Sequence, residues 1–347
     1  MTSKENVFII LTPGFPPSEA DTTCLPMQQR FVMSLSRLYP DIKIIVLSFH
    51  YPFVKKTYRW FDVSVTCFNG RNKGGLTPML LRRSVGRTLQ KIHKENQIIG
   101  LLSFWLGECS FVGKKFADEN RLKHYTWLLG QDARPGNTYG LNFKANELIA
   151  LSDFLQSEFE RNYGVRPFLV VMPGVDENSL NNMDRNIDLL GVGSLIYLKQ
   201  FEMFLEIIAT IKRQMPQIKA VLIGDGPNKN KLQNVAASLG IQHNICFTGS
   251  MDNDEVMNAM QKTKILIHPS SYEGFSGVCQ EALANGAHVI SFCRAMDTEI
   301  EQWHIVKTKE EMLKKAIAIL TDESVPYRQV KFQPMAATAS QMMNCYL

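Results

Sequence analysis

Residues 268–286 read HPSSYEGFSGVCQEALANG. An apolar run ends at His268, a loop of serine and glycine follows, and a helical pattern takes over from Val278 to Asn285. Gly274 and Gly277 permit close backbone approach, so the amides of Phe275, Ser276 and Gly277 would point at an anion held at a helix N-terminus. Glu273 precedes the helix and Glu281 lies a turn inside it, an E-x7-E arrangement. A carboxylate can accept from two sugar hydroxyls, so the unit suits a nucleotide sugar. A loop with an incidental capping acid is the plainer alternative.

The same plan runs outward in both directions. Upstream, Val7–Leu11, Ile42–Ser48, Ile98–Phe104, Tyr125–Leu129, Leu148–Leu151 and Phe168–Met172 read as strands buried on both faces, since polar alternation is lacking. Met27–Leu38, Met79–Glu95, Cys109–Glu119 and Asp153–Tyr163 read as helices, with Pro26 in a first turn and Ser152 as an N-cap. In the second half, strands are expected at Leu189–Gly193, Ala220–Gly224, Ile245–Thr248, Ile265–His268 and Val289–Phe292. Helices are expected at Phe201–Met215, Lys229–Leu239, Asp254–Gln261 and Val278–Asn285, with Gly240 as a stop. Two β/α series imply an α/β protein of two Rossmann-like, doubly wound parallel-sheet domains facing across a cleft. The expected domains are 1–172 and 189–334. The Asn-rich stretch 173–188 is read as their linker. Ligands of such sheets bind outside the carboxyl ends of the strands, where each candidate residue falls.

The chain has 347 residues, 45% hydrophobic and 20% charged, enough for two cores and ordinary for a globular protein. No apolar run approaches the roughly 20 residues that span a bilayer. The seven cysteines are scattered without CxxC spacing, which points to reduced thiols in a cytoplasmic protein and to no zinc site. A net charge of +5 conceals an excess of eight positive charges in 1–172 and of three negative charges in 173–347. Ten Lys and Arg residues fall in 55–94, with Asp62 as the one acid. The plain reading is a solvated helix face plus a loop; the sharper one is a surface for anionic phospholipid or a phosphorylated acceptor. Nucleic acid is disfavoured, because no recognition motif accompanies the charge.

Residues 269–290, PSSYEGFSGVCQEALANGAHVI, resemble the retaining GT-B glycosyltransferases of family 4, in which proline-serine and a short spacer precede E-G-F-G and a helix with the second Glu. The resemblance extends to IGDGPNKNKLQNVAASLGIQHNICFTGSMDNDEV (223–256), GVGSLIYLKQFEMFLEII (191–208) and ALSDFLQSEFERNYGVRPFLVVMPGVD (150–176). It implies a nucleoside diphosphate sugar held mainly by the second domain. Lys199 would sit on the diphosphate, Glu281 on the ribose, and Glu273 with the amides of 274–277 on the transferred sugar or diphosphate. Gly249, Ser250 and Met251 would line the base. It further implies transfer to an acceptor hydroxyl with retention, assisted by the leaving phosphate, and needing no cofactor.

The chain also departs from that pattern. Ser194 stands where the family often has arginine, so the second phosphate cation is absent or supplied elsewhere, for example by Arg134. The family's first-domain histidine loop corresponds to Leu129–Gly130–Gln131–Asp132, which keeps Asp132 but puts leucine at the histidine place. Gly14, in TPGFPPSEAD (12–21), lacks a paired glycine. Gly224 and Gly226 read as turn formers, and His268 as a satisfied histidine rather than a catalytic one. DxD is absent, and Asp252–Asn253–Asp254 is more simply a helix start, so metal independence is expected. The candidate site is therefore Glu273, Lys199 and Asp132 for chemistry, with Glu281, Gly274, Phe275, Ser276, Gly277, Gly14, Ser194, Gly249, Met251 and Arg134 for the donor. Expected partners are the nucleotide sugar, a saccharide or lipid-linked acceptor of surface polysaccharide or glycolipid synthesis, and an anionic membrane touched from the cytoplasmic face. A nucleotide-sugar epimerase and a non-catalytic nucleotide-sugar-binding protein are the alternatives. The C-terminal run from Met335 to Tyr346 has helical spacing and, by resemblance, returns to the first domain.

Overall fold

The computed structural model of the chain describes residues 4–176 and 184–347. Gly174 closes a first compact unit, Val175 opens a second, and the chain returns to the first at Gln333–Leu347. The expected linker overlaps residues 177–183, which lie outside the described residues.

The first unit contains β1 (Asn6–Gly14), α1 (Pro26–Leu38), β2 (Lys43–Tyr51), β3 (Lys55–Trp60), β4 (Val63–Phe68), α2 (Thr77–Glu95), β5 (Gln97–Phe104), α3 (Glu108–Asn120), β6 (His124–Leu128), β7 (Leu148–Ala150), α4 (Asp153–Tyr163) and β8 (Leu169–Val170). They build one sheet in the order β3-β4-β2-β1-β5-β6-β7-β8. Val7 to Leu11 are completely buried, as a strand covered on both faces requires. Helix α4 begins where Ser152 accepts a hydrogen bond from the Leu155 amide, and ends at Gly164 in the left-handed region.

Two corrections concern this sheet. It is not wholly parallel, because β3 runs antiparallel to β4 at its edge. The basic stretch 55–94 is more than a solvated helix face plus a loop; it holds the β3–β4 hairpin as well as α2. Among the described residues of the hairpin, Trp60, Val63, Val65, Cys67 and Phe68 are buried, and the lysines and arginines on the outer face conceal the alternation.

The second unit contains β9 (Ile187–Val192), α5 (Phe201–Lys212), β10 (Ala220–Ile223), α6 (Lys229–Ser238), β11 (Ile245–Gly249), α7 (Asn253–Gln261), β12 (Thr263–His268), α8 (Gly277–Ala284), β13 (His288–Ser291), β14 (Trp303–Ile305) and α9 (Lys309–Thr321). Its sheet, β11-β10-β9-β12-β13-β14, is parallel throughout. Helix α5 buries Phe201, Phe204, Leu205, Ile207, Ile208 and Ile211 against it. Each such side chain stabilises the fold by about 1.5–3 kcal/mol. Neither β14 nor α9 is expected from the sequence reading.

The winding direction reverses between β9 and β12 in the second sheet, and between β1 and β5 in the first. At such a switch the loops leave in opposite directions and open a crevice. The last helix, α10 (Met335–Met343), belongs to the first unit, where it lies against α1 and buries Met335, Thr338, Ala339, Met342 and Met343. Beyond it, the Tyr346 hydroxyl donates to the Leu101 carbonyl at 2.7 Å. The ring occupies the space over Gly100, where a Cβ would fall 2.1 Å from it.

Candidate functional site

Lys199 ends a short 3₁₀ turn, Tyr197–Lys199, in the loop after β9, and Glu273 lies in the loop after β12. They come from the two strands that flank the switch, and they meet: Lys199 Nζ donates to Glu273 Oε1. The meeting is prepared by backbone. The Ser271 amide donates to the Leu198 carbonyl at 3.0 Å, and the Ser270 and Ser271 hydroxyls donate to the same oxygen at 3.3 and 3.2 Å.

On the other side of Glu273, His268 Nε2 lies 3.3 Å from Oε1 and 3.3 Å from Ser276 Oγ. Ser276 caps α8, accepting from the Cys279 amide. Lys199, Glu273, His268 and Ser276 thus form one continuous chain ending at a helix N-terminus, whose first-turn N–H groups have no intrahelical carbonyl to bind. Burial disfavours the charged form of Glu273, but the His268 hydrogen bond and the Lys199 ammonium outweigh it and hold the carboxyl at about 2. Burial lowers the pKa of His268, with partial opposition from Glu273. An ionised carboxylate can only accept, so a neutral His268 directs its Nε2–H toward Glu273. It acts as a positioning residue. The sequence reading of a satisfied histidine describes its burial but misses this orienting contact, which only the fold reveals.

Glu281 lies within α8 and is buried, as are Gly274, Phe275 and Ser276. A Cβ on Gly277 would meet nothing within 4 Å, so the start of α8 has room before it. The loops after β9, β10 and β11 are laced together: the Gly193 amide donates to Ile223 at 3.0 Å, and the Gly224 amide to Gly249 at 2.9 Å. Gly224, at φ +141°, could not be another residue, since a Cβ would fall 1.9 Å from the Gly193 carbonyl oxygen. This lacing puts Gly249 beside the Gly193–Ser194 loop, with Ser194 exposed and Met251 half-buried. The Asp252–Asn253–Asp254 run is a capping box: Asp252 accepts from the Glu255 amide at 2.9 Å and Glu255 returns the bond at 3.1 Å. Among the described residues, no group of three or more His, Cys, Asp or Glu could hold a metal ion. A depression of about 710 Å³ in this unit has other walls, including Arg294, Met296, Trp303 and Lys315.

The first unit's candidates also sit at strand ends. Gly14 closes β1 and pairs with Tyr51. Asp132 is buried, and its Oδ2 accepts from the Leu106 amide at 2.8 Å and the Leu129 amide at 2.9 Å. Burial lifts its pKa to about 7 against those two bonds. It braces the loops after β5 and β6. Arg134 is exposed, with Nη1 donating to Gln131. The sequence reading does not single out a polar cluster nearby. Glu108 accepts from Arg82 Nε at 2.8 Å and stands 3.5 Å from His50 Nε2, while Arg82 also donates to Tyr139 at 3.1 Å. These four residues are scattered in sequence, and only the sheet order brings them together.

Residues 175–331 match the family described as glycosyl transferases group 1. The phosphatidylinositol N-acetylglucosaminyltransferase gpi3 subunit of Schizosaccharomyces pombe is 32% identical over 100 residues, covering 29% of this chain and 22% of that protein. Among solved structures, a sucrose-phosphate synthase from Thermosynechococcus elongatus superposes with a TM-score of 0.74 at 12% identity, covering 99% of this chain and 95% of that one. HepE of Anabaena, in complex with UDP-glucose, gives a TM-score of 0.67 at 16% identity, covering 98% and 95%. These likenesses establish the GT-B fold, two parallel-sheet α/β domains. The chain spans 22% to 52% of the length of the first curated relatives it matches.

Proposed function

We propose that this protein transfers a sugar from a nucleoside diphosphate sugar to an acceptor hydroxyl, with retention at the anomeric carbon, in glycolipid or polysaccharide synthesis. The observation that carries the reading is the meeting of Lys199 and Glu273 at the switch of the second sheet, joined through His268 to the start of α8. Without donor, the ammonium and carboxylate neutralise each other. An arriving diphosphate competes for Lys199 and for the α8 amides, which frees Glu273 to accept from sugar hydroxyls. As the bond to phosphate breaks, negative charge grows on the diphosphate, where the cation and the helix N-terminus stabilise it. The acceptor attacks from the face the phosphate leaves, and the phosphate takes its proton. Ser194 leaves Lys199 as the principal cation of this loop. UDP in the HepE complex and the phosphatidylinositol acceptor in the name of the fission-yeast relative support, for this chain, a UDP-sugar donor and a lipid-linked acceptor.

A panel of UDP-, GDP- and ADP-sugars, followed by NMR of the anomeric product, tests this. One donor should be consumed with its anomeric configuration kept, before and after dialysis against EDTA. Loss of turnover on dialysis, restored by magnesium or manganese, would sink metal independence. Epimerised donor, or donor bound and never consumed, would replace the transfer reading itself.

Glu281→Gln should weaken donor binding about tenfold, because an amide is a poorer acceptor for paired ribose hydroxyls. Titration calorimetry with the consumed donor checks it, and unaltered affinity would remove Glu281 from the site.

A further inference from the structure

The second sheet ends on β14, and the side of that strand turned away from β13 pairs with no other strand among the described residues. The register sets Trp303 beside Val289 and Ile305 beside Ser291. The Val289 amide donates to the Gln302 carbonyl at 2.9 Å, and the Val306 amide to the Ser291 carbonyl at 3.0 Å. In a parallel ladder these neighbouring residues carry the inward bonds, so the Trp303 carbonyl and both backbone groups of Ile305 face outward. Such an edge is a template for one more strand, and sheets commonly cover it or blunt it with charge or proline. Here the residue at its centre is apolar, and Ile305 is 41% exposed.

The depression of about 710 Å³ runs along this edge, between two walls of different chemistry. One is apolar, with Met296, Ile300 and Trp303; Ile300 and Trp303 pack on the α8 side with Cys279 and Leu283. The other holds His304 and, from α9, Lys315. At neutral pH its charge is that of the lysine, because burial and then the Lys315 ammonium bring the His304 pKa down to about 4. Lys307 follows β14 on the same rim, and Arg294 stands nearby with its Nε donating to the Met296 carbonyl at 3.0 Å. Neither Lys307 nor Lys315 has a carboxylate partner among the described residues. Glu299 is the one acid in these walls, and Glu301 just outside them stands 3.9 Å from Arg328.

We propose that this edge takes an extended acidic peptide segment as an added strand. A small anion would meet the lysines and leave the outward backbone groups and Ile305 without a role. A neutral strand would leave the lysines without one. An acidic strand answers both: its backbone bonds Trp303 and Ile305, and its side chains alternate between the walls. Apolar ones then meet Met296 and Ile300, and carboxylates meet Lys315. A second copy of β14 fits less well, because it brings the same cations to the same rim. Its extended run also begins only after Gln302, which lies at φ +62°. This inference does not rest on the proposed reaction, and its readout needs no donor.

An acetylated, amidated hexapeptide that alternates glutamate and valine is the probe. It should bind the full chain in solution titrations and slow hydrogen exchange at the Ile305 amide. Its counterpart with lysine in place of glutamate should bind the parent protein at least about tenfold more weakly. The same loss, about tenfold or more, is expected when every amide of the acidic peptide is N-methylated, which keeps its charge and removes its donors. On the protein side, Lys307→Glu with Lys315→Glu should weaken binding about tenfold or more. Ile305→Pro, which removes an outward N–H, should weaken it about tenfold. An unchanged thermal transition verifies that each variant is folded, and the peptide comparisons on the parent decide the matter without them. No binding of the probe, no protection of Ile305, or equal binding of the lysine or N-methylated peptide would each overturn the assignment.

Discussion

Acidification from pH 4.5 towards 2 should cost this protein about 3 kcal/mol through Glu273 alone, and Glu273→Gln should abolish that dependence. The sign follows from linkage. The carboxyl titrates near 4.5 in the unfolded chain and at about 2 when folded. The unfolded state therefore binds the proton first. The stabilisation is complete above 4.5 and vanishes as the pH falls through the folded value. Denaturant unfolding at a series of pH values measures it, and parallel curves for parent and variant would refute the coupling. Lys199→Met attacks the same pair from the other side. It leaves a mostly buried carboxylate with only His268, so a destabilisation of about 3–5 kcal/mol is expected at neutral pH. Adding Glu273→Gln should recover most of that loss. Turnover should behave differently: each single variant and the double should lose about a hundredfold or more, since no other group in the loop replaces the cation. A double variant with recovered activity would mean that the pair is structural only.

Removal of residues 335–347 should unfold the first unit at room temperature. Met335, Met342, Met343 and Tyr346 are at most 5% exposed, and their contacts lie within that unit. At about 1.5–3 kcal/mol for each, they contribute about 6–12 kcal/mol. A whole domain commonly has about 5–15 kcal/mol in hand. Further bonds would be lost, from Thr338 Oγ1 to the Met172 carbonyl at 2.8 Å and from Lys123 Nζ to the Tyr346 carbonyl at 2.9 Å. Calorimetry of the truncated protein should lack one of the parent's transitions, whereas two unshifted transitions would refute the expectation. Gly100→Ala is the point probe of the same seat, since its Cβ would displace the Tyr346 ring.

The parts of this fold that are readable in sequence are those whose apolar period matches their geometry. Strands such as Val7–Leu11 are continuous apolar runs because both faces are covered, and α4 carries its start at Ser152 and its stop at Gly164. Four elements among the described residues escape the reading. The β3–β4 hairpin hides its inward residues among lysines, and β14 has only three residues. Helix α9 does carry a signal, with Thr308 accepting from the Glu311 amide and Glu311 accepting from the Lys307 amide, but it lies beyond the resemblance. At the site, the spacing of Glu273, Glu281 and Lys199 is legible in one dimension. Their order around His268 is not, because it depends on which strands are neighbours. Asp132 is legible as an acid in a loop, yet its two amide bonds come from residues 26 and 3 positions away.

The second unit is a single uninterrupted length of chain set inside the first, entered at Val175 and left at Phe332. The group 1 match, 175–331, coincides with that insert. During synthesis the ribosome must therefore deliver the whole insert before α10 exists. Until then, the seat over Gly100 and the α1 face lack the segment that covers them. Exchange between genes is lopsided in the same way. One crossover at each end of the insert moves the second unit intact, while transplanting the first requires cutting and carrying two separated stretches of coding sequence.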